Sequence, residues 1–416
     1  MIVSEDLAPG GPAEGTRVRF LNELYPLGFF GLIFINTLFN QWIVYSHAPP
    51  GTRGARVGSV LLLGYVLQGL ANPLVGLAGD RMRARFGTRR PLTLVAAPFL
   101  LAVFALLWGE HAPTALVLAY CLLFTLVLQP YVSLLPSIAT TPKVRLRMTL
   151  TGSFFALAAS GAALLAGPLL VERHGFGALA IAGAGAFVAT LLVPAALVRE
   201  SVATAPSRPA SAAGFLEVLG NPTVKRFVFG STLLTSAVMS LVVAAPYVAG
   251  AVLHEGQAAT AVLNGFLVGG MLVAVGLLGW LGKRVPPLTL MKAGAVLGAC
   301  VLVLLGGVTL LPLGPLTWAG CATGFFALGY VALSVLALPS LVMAKLSEED
   351  GQAREGLFFG LSGVATGFGN ALGAFAASNL LALAPGAGDP IGLQATVAAA
   401  FVAAGTAALV LPRGTR

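Results

Sequence analysis

Gly76-Leu77-Ala78-Gly79-Asp80-Arg81 and Gly279-Trp280-Leu281-Gly282-Lys283-Arg284 are one helix end written twice, once in each half of the chain. After the first, the sequence resumes at Pro91-Leu92-Thr93-Leu94; after the second, through a shorter loop, at Pro287-Leu288-Thr289-Leu290. A long apolar run precedes each copy. Repeated halves of this kind predict two related bundles of helices with a shared interface. A Pro-Tyr pair also recurs, at 130–131 and 246–247, but on non-equivalent helices, so it reads as coincidence.

Working outward, the composition names the solvent. Of 416 residues, 57% are hydrophobic and 9% charged, against roughly 25% charged in a soluble domain. So few charges cannot cover a water-facing surface, so lipid surrounds most of the chain. The 52 glycines suit membrane helices whose backbones approach closely. Runs of about 20 apolar residues predict helices over 25–46, 57–78, 91–109, 113–137, 149–171, 177–198, 227–252, 259–281, 287–311, 315–343, 357–383 and 391–411. The fold class expected is an all-α membrane protein, twelve transmembrane helices in two pseudo-symmetric six-helix bundles. Residues 1–24 form a cytoplasmic segment, 25–198 the first bundle, 199–226 a Pro/Ser/Ala linker and 227–416 the second bundle.

The net charge of +9 is a matter of topology rather than of nucleic-acid binding. Twenty-one of the 24 Lys and Arg fall on one side of this arrangement, and only Arg53, Arg56 and Arg173 on the other. The positive-inside rule therefore puts both termini in the cytoplasm of a cell (inner) membrane. Acidic residues precede the first apolar run, the reverse of a signal peptide. Cys121, Cys300 and Cys321 lie in apolar stretches without metal-ligand spacing and read as small buried hydrophobes.

Membrane-embedded acids are the usual proton and sodium relays, yet all 15 Asp and Glu fall in loops or at helix ends. What the spans do carry is a set of neutral polar residues. Asn36 and Asn40 are spaced i, i+4 on the first helix, and Gln68 and Asn72 repeat that spacing on the second, so each pair shares a face. Gln129 and Tyr131 lie in the fourth helix, Tyr247 in the seventh, Asn264 in the eighth, Tyr330 in the tenth and Asn370 in the eleventh. An unpaired amide in hydrocarbon costs several kcal/mol, so these groups face a cavity or each other. They are the candidate substrate-binding residues, with interhelical hydrogen bonding as the alternative role.

Four stretches resemble the glycoside-pentoside-hexuronide:cation symporter family of the major facilitator superfamily. They are Tyr25-Pro26-Leu27-Gly28, the loop from Gly79-Asp80-Arg81 to Arg90-Pro91, Pro130-Tyr131-Val132-Ser133-Leu134-Leu135-Pro136 and Arg354-Glu355-Gly356-Leu357-Phe358-Phe359-Gly360. The resemblance spans roughly 25–370 and implies the major facilitator fold, alternating access and gating residues at the inner face: Asp80, Arg81, Arg85, Arg145, Arg354 and Glu355. Asp80 is expected at the C-terminal end of its helix, where a negative charge is unfavourable and needs a partner. The arginines are expected to pair with acids such as Glu348, Glu349 or Glu355, or with lipid phosphates. The chain departs from the family's carboxylate set: the second-helix positions read Gln68 and Asn72, the first- and fourth-helix positions Ile33 and Leu128. Gly367 stands where melibiose-type members carry a lysine.

The expected function is therefore secondary transport of a small neutral solute, sugar- or polyol-like, without carboxylate-based ion coupling. The same resemblance extends to animal lysolipid carriers, so an amphiphile or drug-like cargo is the alternative, followed by a receptor that binds without transport. No Gly-x-x-x-x-Gly-Lys-Ser/Thr run, His-Glu-x-x-His or Gly-x-Ser-x-Gly run appears, which leaves an ATP-driven pump or a lipid enzyme unsupported. No cofactor is implied, and the expected partners are the substrate and membrane lipids, around a monomer.

Overall fold

The computed structural model describes residues 21–49, 55–88, 90–109, 114–139, 142–198, 217–350, 355–384 and 389–412. Among them twelve long helices follow one another: α1 (Gly28–His47), α2 (Ala55–Phe86), α3 (Arg90–Leu106), α4 (Thr114–Val132), α5 (Pro142–His174) and α6 (Gly177–Leu197). The second half gives α7 (Pro222–Ala251), α8 (Gln257–Leu281), α9 (Pro287–Val308), α10 (Pro315–Asp350), α11 (Glu355–Leu381) and α12 (Ile391–Val410). Nine are long and apolar enough to cross a membrane by length and composition; the others are α2, α3 and α11.

Helix pairing repeats between the halves. The contacts α1–α5, α1–α6, α2–α4, α3–α4 and α3–α6 recur as α7–α11, α7–α12, α8–α10, α9–α10 and α9–α12. The bundles meet through α2–α11, its pseudo-symmetric counterpart α5–α8, and α1–α7. This is the two-bundle arrangement that the repeated helix end announces. Most of the expected linker, 199–216, lies outside the described residues; its last part already belongs to α7, which starts at Pro222 behind Asn221, whose Oδ1 accepts from the Thr223 N–H at 2.9 Å.

Two expectations are corrected. α2 does not stop near Asp80 but runs on to Phe86. Arg81-Met82-Arg83-Ala84-Arg85 are good helix formers, and the stop is Gly87 at φ 71°, a left-handed conformation that glycine adopts freely. Asp80 thus sits more than a turn from the helix end, beyond the reach of the terminal dipole. Cys300 is exposed on α9 rather than buried, unlike Cys121 and Cys321.

Candidate substrate cavity

The inward face of α1 carries Ile33, Asn36, Thr37 and Asn40, all half-buried, whereas Ile43 and Val44 one turn on are fully buried. Face and spacing follow from the helical period. On α2 the matching stripe is Tyr65, Gln68 and Asn72. The Tyr65 hydroxyl donates to Asn40 Oδ1, and Gln129 Nε2 of α4 donates to Asn72 Oδ1 at 3.0 Å. On α11 one face grades from exposed Gly363 through half-buried Asn370 to fully buried Ala374 and Ala377, while Leu372 and Leu383 on the opposite side are exposed. These faces adjoin, because α2 packs on both α4 and α11 and α1 touches α2 and α7. Asn36, Gln68 and Asn370 make no hydrogen bond among the described residues.

The same gradient shows which end of the space is shut. At the end of Ala48, the Tyr247 hydroxyl of α7 donates to the Ala48 carbonyl at 2.6 Å, and Gln257 Nε2 of α8 donates to the Tyr45 hydroxyl at 2.7 Å. The rings of Tyr45 and Tyr247 lie 5.1 Å apart. Glu172, in the last turn of α5, accepts from the Ala258 N–H at the start of α8, where the helix dipole favours a carboxylate. Asn264 Nδ2 donates to the Leu164 carbonyl at 2.7 Å. All four hydrogen bonds cross from one bundle to the other.

Glycines line the same seam. A Cβ at Gly58 would meet Ser378 Cβ at 2.7 Å, and one at Gly367 would meet Gly69 Cα at 3.7 Å. Farther along, Gly76, Gly360 and Gly363 would meet nothing within 4 Å among the described residues. Among the described residues the bundles are therefore closed at the Ala48–Tyr247 end and apart towards Gly76 and Gly360, the end that carries the basic loops. At Gly367 an added Cβ would make ordinary van der Waals contact with α2, at Gly69 Cα and the Tyr65 carbonyl oxygen.

The sequence-derived candidates divide. Asn36, Asn40, Gln68, Asn72, Gln129 and Asn370 gather around the space. Tyr247 and Asn264 are buried in the closed seam. Tyr131 is buried within the first bundle, its ring 4.9 Å from that of Tyr25 and its hydroxyl donating to the Tyr25 carbonyl. Tyr330 donates to the Leu290 carbonyl of α9 at 3.4 Å. Of the gating candidates, Arg81, Arg85 and Arg145 are exposed at the open end; Arg354 and the side chains of Asp80 and Glu355 lie outside the described residues. Among the described residues Arg147, rather than Arg145, makes an ion pair here, with Glu23. Both partners are about half exposed, and such pairs are worth about 0–1 kcal/mol. Arg147→Ala is expected to leave thermal stability nearly unchanged, and a large drop in a detergent melt would contradict that.

Sequence reasoning missed Tyr65, Thr37, Gln41, Tyr45, Gln257 and Glu172. The signal for Tyr65 was present, since 65, 68 and 72 share a face. For Gln257 and Glu172 none existed, because both read as ordinary helix-end residues.

The profile of the family described as MFS/sugar transport protein matches residues 25–409. The chain belongs to this family. The transporter is 29% identical over 196 residues to the mouse (Mus musculus) protein named major facilitator superfamily domain-containing protein 12, covering 41% of this chain and 40% of that one. It is 30% identical over 149 residues to the uncharacterized symporter sll1374 of Synechocystis, covering 32% and 27%. The matched region thus spans two fifths or less of these curated relatives. In solved structures the transporter resembles the nucleoside transporter NupG (TM-score 0.69, 12% identity, 95% and 97% covered). It also resembles a bacterial homologue of the human lysosomal transporter Spinster in an inward-facing, unoccupied conformation (TM-score 0.64, 16% identity, 96% and 97% covered). At such identities the likeness establishes the major facilitator fold alone. The chain is thus a multi-pass membrane protein of this transport family.

Proposed function

We propose that the transporter carries a small neutral solute of sugar or polyol type across the cytoplasmic membrane by alternating access, without a carboxylate coupling site. The observation that carries this reading is the trio Asn36, Gln68 and Asn370, amides from both bundles that border one space and have no hydrogen-bond partner among the described residues. An amide donates and accepts, so it suits hydroxyl groups, and no acid stands at the positions of Ile33, Gln68, Asn72 and Leu128. The strong bias of basic residues supports placing the open end, and both termini, in the cytoplasm. Basic side chains such as Arg81 and Arg145 would then lie near lipid phosphates, around a transporter that works as a monomer.

Uptake into proteoliposomes, with and without imposed proton and sodium gradients, tests this. Neutral sugars are expected to equilibrate regardless of gradient. Asn36→Ala and Gln68→Ala should each raise KM by about tenfold, the worth of one hydrogen bond of about 1 kcal/mol or somewhat more. Gradient-driven accumulation would overturn the uncoupled reading. A second reading has its own observation: Ile33 lies on the same half-buried face of α1 as Asn36, a bed for an apolar moiety. Uptake of a fluorescent lysolipid with no sugar uptake would favour it.

A further inference from the structure

Gln41 of α1 is fully buried, and neither Nε2 nor Oε1 of its amide has a hydrogen-bond partner among the described residues. It lies four residues before Tyr45 and seven before Ala48, so the three share one face of the helix. Tyr45 and Ala48 are the α1 side of the closed seam, bonded to Gln257 and Tyr247. Gln41 is therefore packed one turn inside that closure, on the side towards the second bundle. Across the seam a second amide is short of partners. Asn264 lies seven residues beyond Gln257 on the same face of α8 and spends its Nδ2 on Leu164, while its Oδ1 is buried without a bond.

Each bundle thus brings unbonded amide atoms into the closed seam. Such burial is unfavourable, and the penalty vanishes when the group meets water or a polar ligand. Deeper in the space the next polar groups on α1 are Asn40, Thr37 and Asn36, so Gln41 completes a polar track from closure to cavity.

We propose that Gln41 is the entry contact of the transport path. Buried while the seam is shut, it exchanges hydrogen bonds with the hydroxyl or amide groups of an incoming solute once the seam opens. Its burial penalty keeps the closed state from becoming a trap. This deepens the transport reading and rests on it.

The test uses the full chain in liposomes, in a Cys300→Ser background, with Ala48→Cys as a buried reporter at the closure and a membrane-impermeant maleimide applied from that side. Gln41→Leu is expected to slow labelling of the reporter about tenfold, to raise the melting temperature, and to raise KM for solute offered from that side. Gln41→Asn keeps an amide and should label within about twofold of the parent. Unchanged or faster labelling in folded Gln41→Leu overturns the proposal, and Gln41→Met gives the same reading should the leucine variant not fold. These outcomes are separate from the transport reading itself, which fails only if the unmodified chain takes up no solute.

Discussion

Oxidising a Gly58→Cys/Ser378→Cys pair is expected to abolish uptake, and a reducing agent to restore it. The two positions face each other across α2 and α11, with 2.7 Å between Ser378 Cβ and the place of a Cβ on Gly58. A disulfide spans about 3.8 Å between Cβ atoms, so the helices must ease apart by roughly 1 Å. Because α2 and α11 belong to different bundles, that covalent tie holds the Ala48–Tyr247 end shut. Alternating access needs this end to part, since the opposite end is already apart. Uptake that persists after complete cross-linking, judged by the loss of free thiols, would falsify the rocking of the two bundles about their midsection.

The second large effect is on stability. α8 and α10 touch backbone to backbone: a Cβ on Gly270 would stand 1.9 Å from the Phe326 carbonyl oxygen, and one on Gly329 2.4 Å from the Leu267 carbonyl oxygen and the Met271 nitrogen. No side-chain rotation relieves contacts with backbone, so either alanine pushes two packed helices apart. Overpacking of this kind costs about 1–3 kcal/mol, and Gly270→Ala belongs at or above the top of that range. Gly276, on the same helix with nothing within 4 Å, is the contrast. Gly276→Ala should be neutral, or stabilising by up to about 1 kcal/mol through helix propensity. Thermal melts in detergent separate the two, and equal behaviour of Gly270→Ala and Gly276→Ala would mean that the helices are not in backbone contact.

How far the sequence discloses this molecule depends on the kind of force involved. The twelve helices are legible because the bilayer demands long apolar runs, and the two bundles because the end at Gly79-Asp80-Arg81 recurs at Gly282-Lys283-Arg284. The pairs Asn36/Asn40 and Gln68/Asn72 are legible because helical spacing places them on shared faces. The extent of α2 is not, since hydropathy ends at Asp80 while helix propensity continues through Arg85 to Phe86. The tyrosines mislead for another reason. Tyr131 and Tyr330 look like cavity residues, but the sequence cannot say whether a hydroxyl meets a solute or the carbonyl of a neighbouring helix. Gln41 and Glu172 escape notice because what distinguishes them is the closure between bundles, a relation between residues distant in the chain.

The contact between Gly69 and Gly367 divides α2 into unequal lever arms. Gly58 at the closure lies eleven residues to one side and Arg85 sixteen to the other, or about 16 and 24 Å at 1.5 Å per residue. Each degree of rocking about that fulcrum moves Gly58 by about 0.3 Å and Arg85 by about 0.4 Å. The short arm has only to break hydrogen bonds, which a small displacement accomplishes. The long arm must sweep a passage wide enough for a solute. In the proposed alternating access one rotation would serve both tasks because the helix is divided off centre, so moving the fulcrum by a single turn would change the width of the passage.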